Sequence, residues 1–118
     1  MKVAFDFDET LDQKMVQKFA KELMKQGIDV HVVTNNHVSD YVYETTDELK
    51  IPKNNVHFLG YSHKYVYFEK NNDYLFHLDN DIQDVLEISD LTKVQGILYD
   101  CDWKENCLLR LKYENYEK

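Results

Sequence analysis

Short apolar runs rich in β-branched and aromatic residues alternate along this chain with segments whose apolar residues recur every three or four positions. Strand, helix, strand in that rhythm closes by right-handed crossovers onto a parallel sheet covered on both faces. Residues 2–7, 28–33, 56–59, 74–78 and 94–99 are the five predicted strands. Met15, Val16, Phe19, Ala20, Leu23 and Met24 share one face of a first helix, and Gly27 stands where a C-terminal cap glycine belongs. Ser39 is the expected N-cap of a second helix with Tyr41, Val42, Thr45 and Leu49 inward, stopped by Pro52. Ser62 is the expected cap of a third, over about residues 63–70, and Ile82, Val85, Leu86 and Ile88 mark a fourth. Beyond Trp103, Leu108, Leu109, Leu111 and Tyr113 fit neither period, which leaves 103–118 unassigned. The expectation is one α/β domain spanning 1–118, Rossmann-like, with three layers; 118 residues suffice for a single core.

Charge narrows the functional classes. Fourteen basic residues face 22 acidic ones, for a net −8, and nine of the acids fall between Asn72 and Glu105. Such a surface repels phosphate backbones, and Arg110 is the sole arginine, so sequence-specific nucleic-acid binding is not expected. No run approaches the roughly 20 apolar residues of a membrane span, so no membrane partner is expected. Val3-Ala4-Phe5 is too short for a signal peptide's apolar region of about 7–15 residues. With two unpaired-looking cysteines, Cys101 and Cys107, that points to a cytoplasmic protein.

In open parallel sheets the ligand site lies beyond the C-terminal ends of the strands, at the topological switch point. Acids crowd there: Asp6-Phe7-Asp8-Glu9-Thr10 after the first strand, Asp79-Asn80-Asp81 after the fourth and Asp100-Cys101-Asp102 after the fifth. Thr34-Asn35-Asn36-His37 follows the second. In extended chain Asp6 and Asp8 project to one side. Two carboxylates about 4 Å apart repel by roughly 4 kcal/mol at an effective dielectric near 20. A hard cation turns that cost into binding, and Mg²⁺ suits a few carboxylates, waters and a phosphate. The candidate metal ligands are Asp6, Asp8, Asp79 and Asp81, the last having an alternative role as a helix N-cap. Asp84 stands where a calcium loop needs glycine. Thr34 offers a hydroxyl to a phosphoryl oxygen, Lys64 a mobile ammonium, and Asn35 and His37 are placed to touch substrate. Together these make a phosphoryl-transfer set.

Residues 6–11, Asp-Phe-Asp-Glu-Thr-Leu after an apolar strand, resemble the first motif of the haloacid dehalogenase superfamily. Val30–Asn35 resembles its second motif, a strand ending in Thr or Ser; Lys64 matches the third; Tyr74–Asp81 resembles the acidic fourth. All four stand in the family's order across about residues 2–99. The resemblance implies a Mg²⁺-dependent phosphatase. Asp6 would be the nucleophile that becomes an aspartyl-phosphate, Asp8 the general acid and base, Thr34 and Lys64 the phosphate ligands. Mg²⁺ would be held by Asp6, the Asp8 carbonyl and Asp79. The family's usual second adjacent acid is Asn80 here, which leaves Asn80, Asp81 and Asp84 as alternatives for the remaining contact. Residues 8–34 have room for one helix and 34–64 for a helix and a strand, so no cap domain is expected. In this family that implies a macromolecular substrate or a homo-oligomer that closes the open site. The candidate substrates are a nucleotide, a terminal phosphate on a nucleic acid and a phosphoprotein. The alternative classes are a catalytically silent binding or inhibitory protein of the same fold and a receiver-type signalling domain. The receiver pattern wants Asp, Thr and Lys after the third, fourth and fifth strands, where this chain has Gly60, Asp79 and Asp100.

Overall fold

The computed structural model describes residues 1–117. Strands β1 (Lys2–Phe5), β2 (Asp29–Thr34), β3 (Val56–Phe58), β4 (Phe76–Asp79) and β5 (Gln95–Leu98) form one sheet in the order β3-β2-β1-β4-β5, every pair parallel. Between them run α1 (Lys14–Lys25), α2 (Asp40–Glu48), α3 (Lys64–Lys70) and α4 (Ile82–Leu91), and α5 (Trp103–Glu117) follows β5. The chain steps outward from β1 to β3, then returns to the other side of β1 for β4. The switch point therefore lies between β1 and β4, where Phe5 pairs with Leu78 and the Asp6 N–H donates to the Leu78 carbonyl at 2.9 Å.

Strand alternation sorts the side chains into two cores. Val3 and Phe5 of β1, Val30 and Val32 of β2, and Phe76 and Leu78 of β4 face α1, α2 and α5, meeting Phe19, Val42 and Cys107. Phe5 sits edge-on to both Phe19 and Phe76, with centroids 6.4 and 6.0 Å away. Ala4 and Val33 face the other way, toward Phe68 of α3 and Ile88 of α4. The result is a three-layer α/β/α domain with a Rossmann-like strand order. Among the described residues no helix is long and apolar enough to cross a membrane.

Several local expectations need correction. The first strand ends at Phe5 rather than Phe7, because the chain closes a wide turn over Phe7–Leu11. There the Leu11 and Asp12 N–H groups donate to the Asp6 and Phe7 carbonyls, five residues back, while Phe7 and Leu11 anchor the turn in the core. α2 buries Val42 and Thr46, and Leu49 is buried just past its end; Tyr41 lies on Phe7 but stays half exposed, and Ser39 makes no side-chain cap. α3 begins at Lys64 with His63, not Ser62, at the cap position. On α4 only Val85 and Ile88 are buried, since one layer of sheet covers a narrow stripe and leaves Ile82 and Leu86 exposed. The unassigned tail is helical. Trp103, Cys107 and Leu111 recur every four residues on its inner face, whereas Leu108, Leu109 and Tyr113 point outward, which blurred the pattern. Lys118 lies outside the described residues. Gly27, at φ +82°, closes α1 as expected of a left-handed cap.

α4 packs so closely on β5 that a methyl group on Gly96 would lie 2.5 Å from the Val85 carbonyl oxygen. The Gly96 N–H also donates to Ser89 Oγ at 2.9 Å. Gly96→Ala is therefore expected to cost about 1–3 kcal/mol through forced separation of helix and strand. A lower urea midpoint with an unchanged slope would show it; an unchanged midpoint would contradict this close approach.

Candidate active site

The C-terminal ends of β1, β2 and β4 and the start of α3 enclose an open cleft of about 300 Å³. Asp6, Asp8, Glu9, Thr34, Asn35, Lys64, Asp79, Asn80, Asp81 and Asp84 line it together with Asn36. Asp6, Asp8, Thr34, Asn35, Lys64, Asp79 and Asp81 are thus brought to one place, whereas His37 stands outside the lining. Asp100 and Asp102 do not join them: the Asp100 carboxylate accepts the Asp102 N–H at 2.9 Å at the start of α5.

Lys64 is the hub. The first turn of α3 aims its side chain inward until it is 3% exposed, and Nζ donates to Asp6 Oδ1 at 2.8 Å and Asp79 Oδ2 at 2.6 Å. Asp84 of α4 lies farther off, at 3.8 Å. Burial opposes the Lys64 charge, yet the two carboxylates outweigh it and hold its pKa above the ordinary value. The two acids share this cation unequally. Asp79 Oδ2 also accepts from His77 Nε2 at 2.8 Å, and Oδ1 accepts the Asp81 N–H at 3.0 Å. Despite burial, the hydrogen bond from His77 and the charge on Lys64 keep Asp79 ionised well below the usual carboxylate range. Asp6 lacks such company. Burial, reinforced by the Asp79 charge and only partly offset by Lys64, pushes its carboxyl up to about 7.

Asp8 reaches the cleft by a different route from that expected. The alternation of an extended strand does not extend to it; the wide turn carries it outward, with Asp8 at ψ 131° and Glu9 at φ +58°. Glu9 in the left-handed region is a strained position for a side-chain-bearing residue. Its Oε2 accepts from Asn80 Nδ2 at 2.8 Å, tying the turn to the end of β4. Asn36 Nδ2 donates to Asp8 Oδ2 at 2.7 Å and to Thr34 Oγ1 at 3.1 Å, and its backbone N–H reaches the same hydroxyl at 3.2 Å. Asp81 caps α4: its Oδ1 accepts the N–H groups of Gln83 at 2.9 Å and Asp84 at 3.4 Å.

Two residues in this arrangement, His77 and Asn36, are not among the site residues expected from the sequence. His77 is fully buried, and burial lowers its pKa. Its bond to Asp79 places the proton on Nε2 and leaves Nδ1 buried with no partner. The available signal was the two-residue spacing from His77 to Asp79, which puts both on one face of β4. Asn36 had a weaker one, a second amide two residues past Thr34.

Chemically, six carboxylates line the cleft around a single ammonium. That excess of negative charge is the kind of surrounding a further cation would suit. Among the described residues no three His, Cys, Asp or Glu side chains stand together as a ready-made metal group. Mg²⁺ does not require one, since it is commonly held by one or two carboxylates with waters and substrate phosphate completing its shell. Asp6 and Asp79, oxygen donors at the ends of adjacent strands, suit that kind of site. No protein-family model matches the chain, and no curated protein matches it.

Proposed function

We propose that this protein is a magnesium-dependent phosphomonoesterase of the haloacid dehalogenase type, without a cap domain, in which Asp6 is transiently phosphorylated. The observation that supports it most is the placement of Lys64 Nζ between Asp6 and Asp79, at 2.8 and 2.6 Å, in a cleft shared with Asp8 and Thr34. A buried acid beside a positioned cation, a hydroxyl and a second, exposed acid supplies a nucleophile, a charge clamp, a phosphoryl contact and a proton carrier.

In the first step an Asp6 carboxylate oxygen attacks phosphorus while the bond from phosphorus to the ester oxygen breaks. Asp8 gives its proton to that oxygen, releasing an alcohol. In the second step the Asp8 carboxylate takes a proton from water as the water oxygen attacks the aspartyl-phosphate. The bond from Asp6 to phosphorus breaks, inorganic phosphate leaves and Asp6 is restored. Lys64 steadies the charge on Asp6 and on the transferring group, the Thr34 hydroxyl donates to a phosphoryl oxygen, and Asn36 fixes the orientation of Asp8. Asp6, the Asp8 carbonyl and Asp79 would hold Mg²⁺, which adds positive charge against the phosphoryl oxygens. That added charge also favours the ionised Asp6 that the first step needs.

The test is hydrolysis of p-nitrophenyl phosphate by the purified protein with Mg²⁺. Turnover is expected, with a loss of at least about a hundredfold on chelation with EDTA and recovery on adding Mg²⁺ back. Rates that ignore EDTA, or no release of phosphate from any phosphomonoester, would refute the proposal.

A further inference from the structure

Two rings beside the cleft take no part in these steps. His37, three residues past Thr34, packs edge-to-face with Tyr61, their centroids 5.2 Å apart and their planes at 74°. The His37 ring also covers Gly60, where a methyl group would lie 3.5 Å from Cε1. Asn35, part of the cleft wall, donates through Nδ2 to the Gly60 carbonyl at 2.9 Å and the Ser62 carbonyl at 2.7 Å. The residues on both sides of Tyr61 are thereby tied to the cleft. Gly60 turns at φ +60°, and the Tyr61 ring stands clear of the protein, 95% exposed. A tyrosine this exposed adds nothing to the core; what it offers is an aromatic face.

We propose that His37 and Tyr61 form the platform for the leaving group of the same ester, and that this leaving group is a nucleoside. The assignment rests on the phosphomonoesterase reading and adds the substrate class to it. Three residues of chain reach at most about 10 Å from Thr34 to His37. A nucleoside carries its base one sugar away from the ester oxygen and so brings an aromatic face of its own to such a platform. A neutral base meets no repulsion from the acidic walls, whereas a polynucleotide would bring many phosphates to a chain of net charge −8. The favoured substrate is therefore a free nucleoside monophosphate.

The experiment compares kcat/KM for adenosine 5′-monophosphate and ribose 5-phosphate, which share sugar and phosphate but not the base. The nucleotide is expected to lead at least about tenfold in wild type and Tyr61→Phe, and by less than about twofold in Tyr61→Ser, with the change in KM. A ratio near one in wild type, or a ratio that survives Tyr61→Ser, overturns the platform. Faster turnover of a 5′-phosphorylated oligonucleotide than of the mononucleotide overturns the choice of a free nucleotide. Failure of the phosphatase reading would appear separately, as no hydrolysis of either ester. In that event ring proton resonances of Tyr61 and His37 that shift with adenosine 5′-monophosphate but not ribose 5-phosphate keep the platform, and unshifted ones remove it.

Discussion

Lys64→Met is expected to cost the metal-free protein about 3–5 kcal/mol of folding stability, because it strips the cation from two buried carboxylates. Asp6 and Asp79 are 7% and 0% exposed, and each receives a hydrogen bond from Nζ. Methionine matches the length of the lysine stem, so loss of packing contributes little and loss of charge dominates. Asp79 retains His77 and the Asp81 N–H, while Asp6 is left facing a like charge. The second substitution in Asp6→Asn/Lys64→Met should therefore recover a large share of the loss, a coupling that a double-mutant cycle measures directly. Urea unfolding at pH 8 in EDTA gives the four stabilities. Additive effects would show that Lys64 is not the partner that makes the Asp6 charge tolerable.

Asp6→Asn is expected to divide the two properties of the site. Hydrolysis should fall by more than about 10⁴-fold, the scale seen when a nucleophile is removed from a covalent mechanism. Stability should hold or rise, since asparagine can still accept from Lys64 and carries no charge to bury. The pH dependence supplies a sharper check. Burial raises the Asp6 carboxyl from 3.8 to about 7, so between those values the folded chain binds a proton that the unfolded chain has lost. By linkage this group's contribution falls as pH rises through that window. Asp79 and His77 act oppositely, losing stability as pH falls, but they remain in both proteins. The difference in melting temperature between variant and wild type, followed from pH 4 to pH 8 without metal, thus isolates Asp6 and should grow with pH. A variant that is inactive and also less stable across the range would make Asp6 a structural residue instead.

What could be read from the residues, and what could not, follows from the range of the forces involved. The parallel sheet was legible because β1, β2, β4 and β5 are apolar runs set between amphipathic helices, and the strand ends followed from it. The convergence of Asp6, Thr34, Lys64 and Asp79 on one cleft was legible too, once each was placed beyond its strand. The wide turn at Phe7–Leu11 was not: it depends on five-residue backbone bonds and a left-handed Glu9, which no side-chain pattern announces. Asn36 and His77 were hidden because a single amide or imidazole means little until its partner is known. The inward faces of α2, α4 and α5 were blurred by apolar residues that the structure leaves in water, among them Ile82, Leu86, Leu108 and Leu109.

The strand order also determines when the chain can acquire its chemistry. β1 is made well before its neighbour β4; Lys64 lies 58 residues from Asp6 and another 15 from Asp79. A nascent chain released after β3 carries Asp6, Asp8 and Thr34 with nothing to bind them into a constellation. On the proposed function, phosphate release would therefore report the pairing of β1 with β4, silent in fragments that stop before β4 and in any intermediate whose central pair of strands has not yet met.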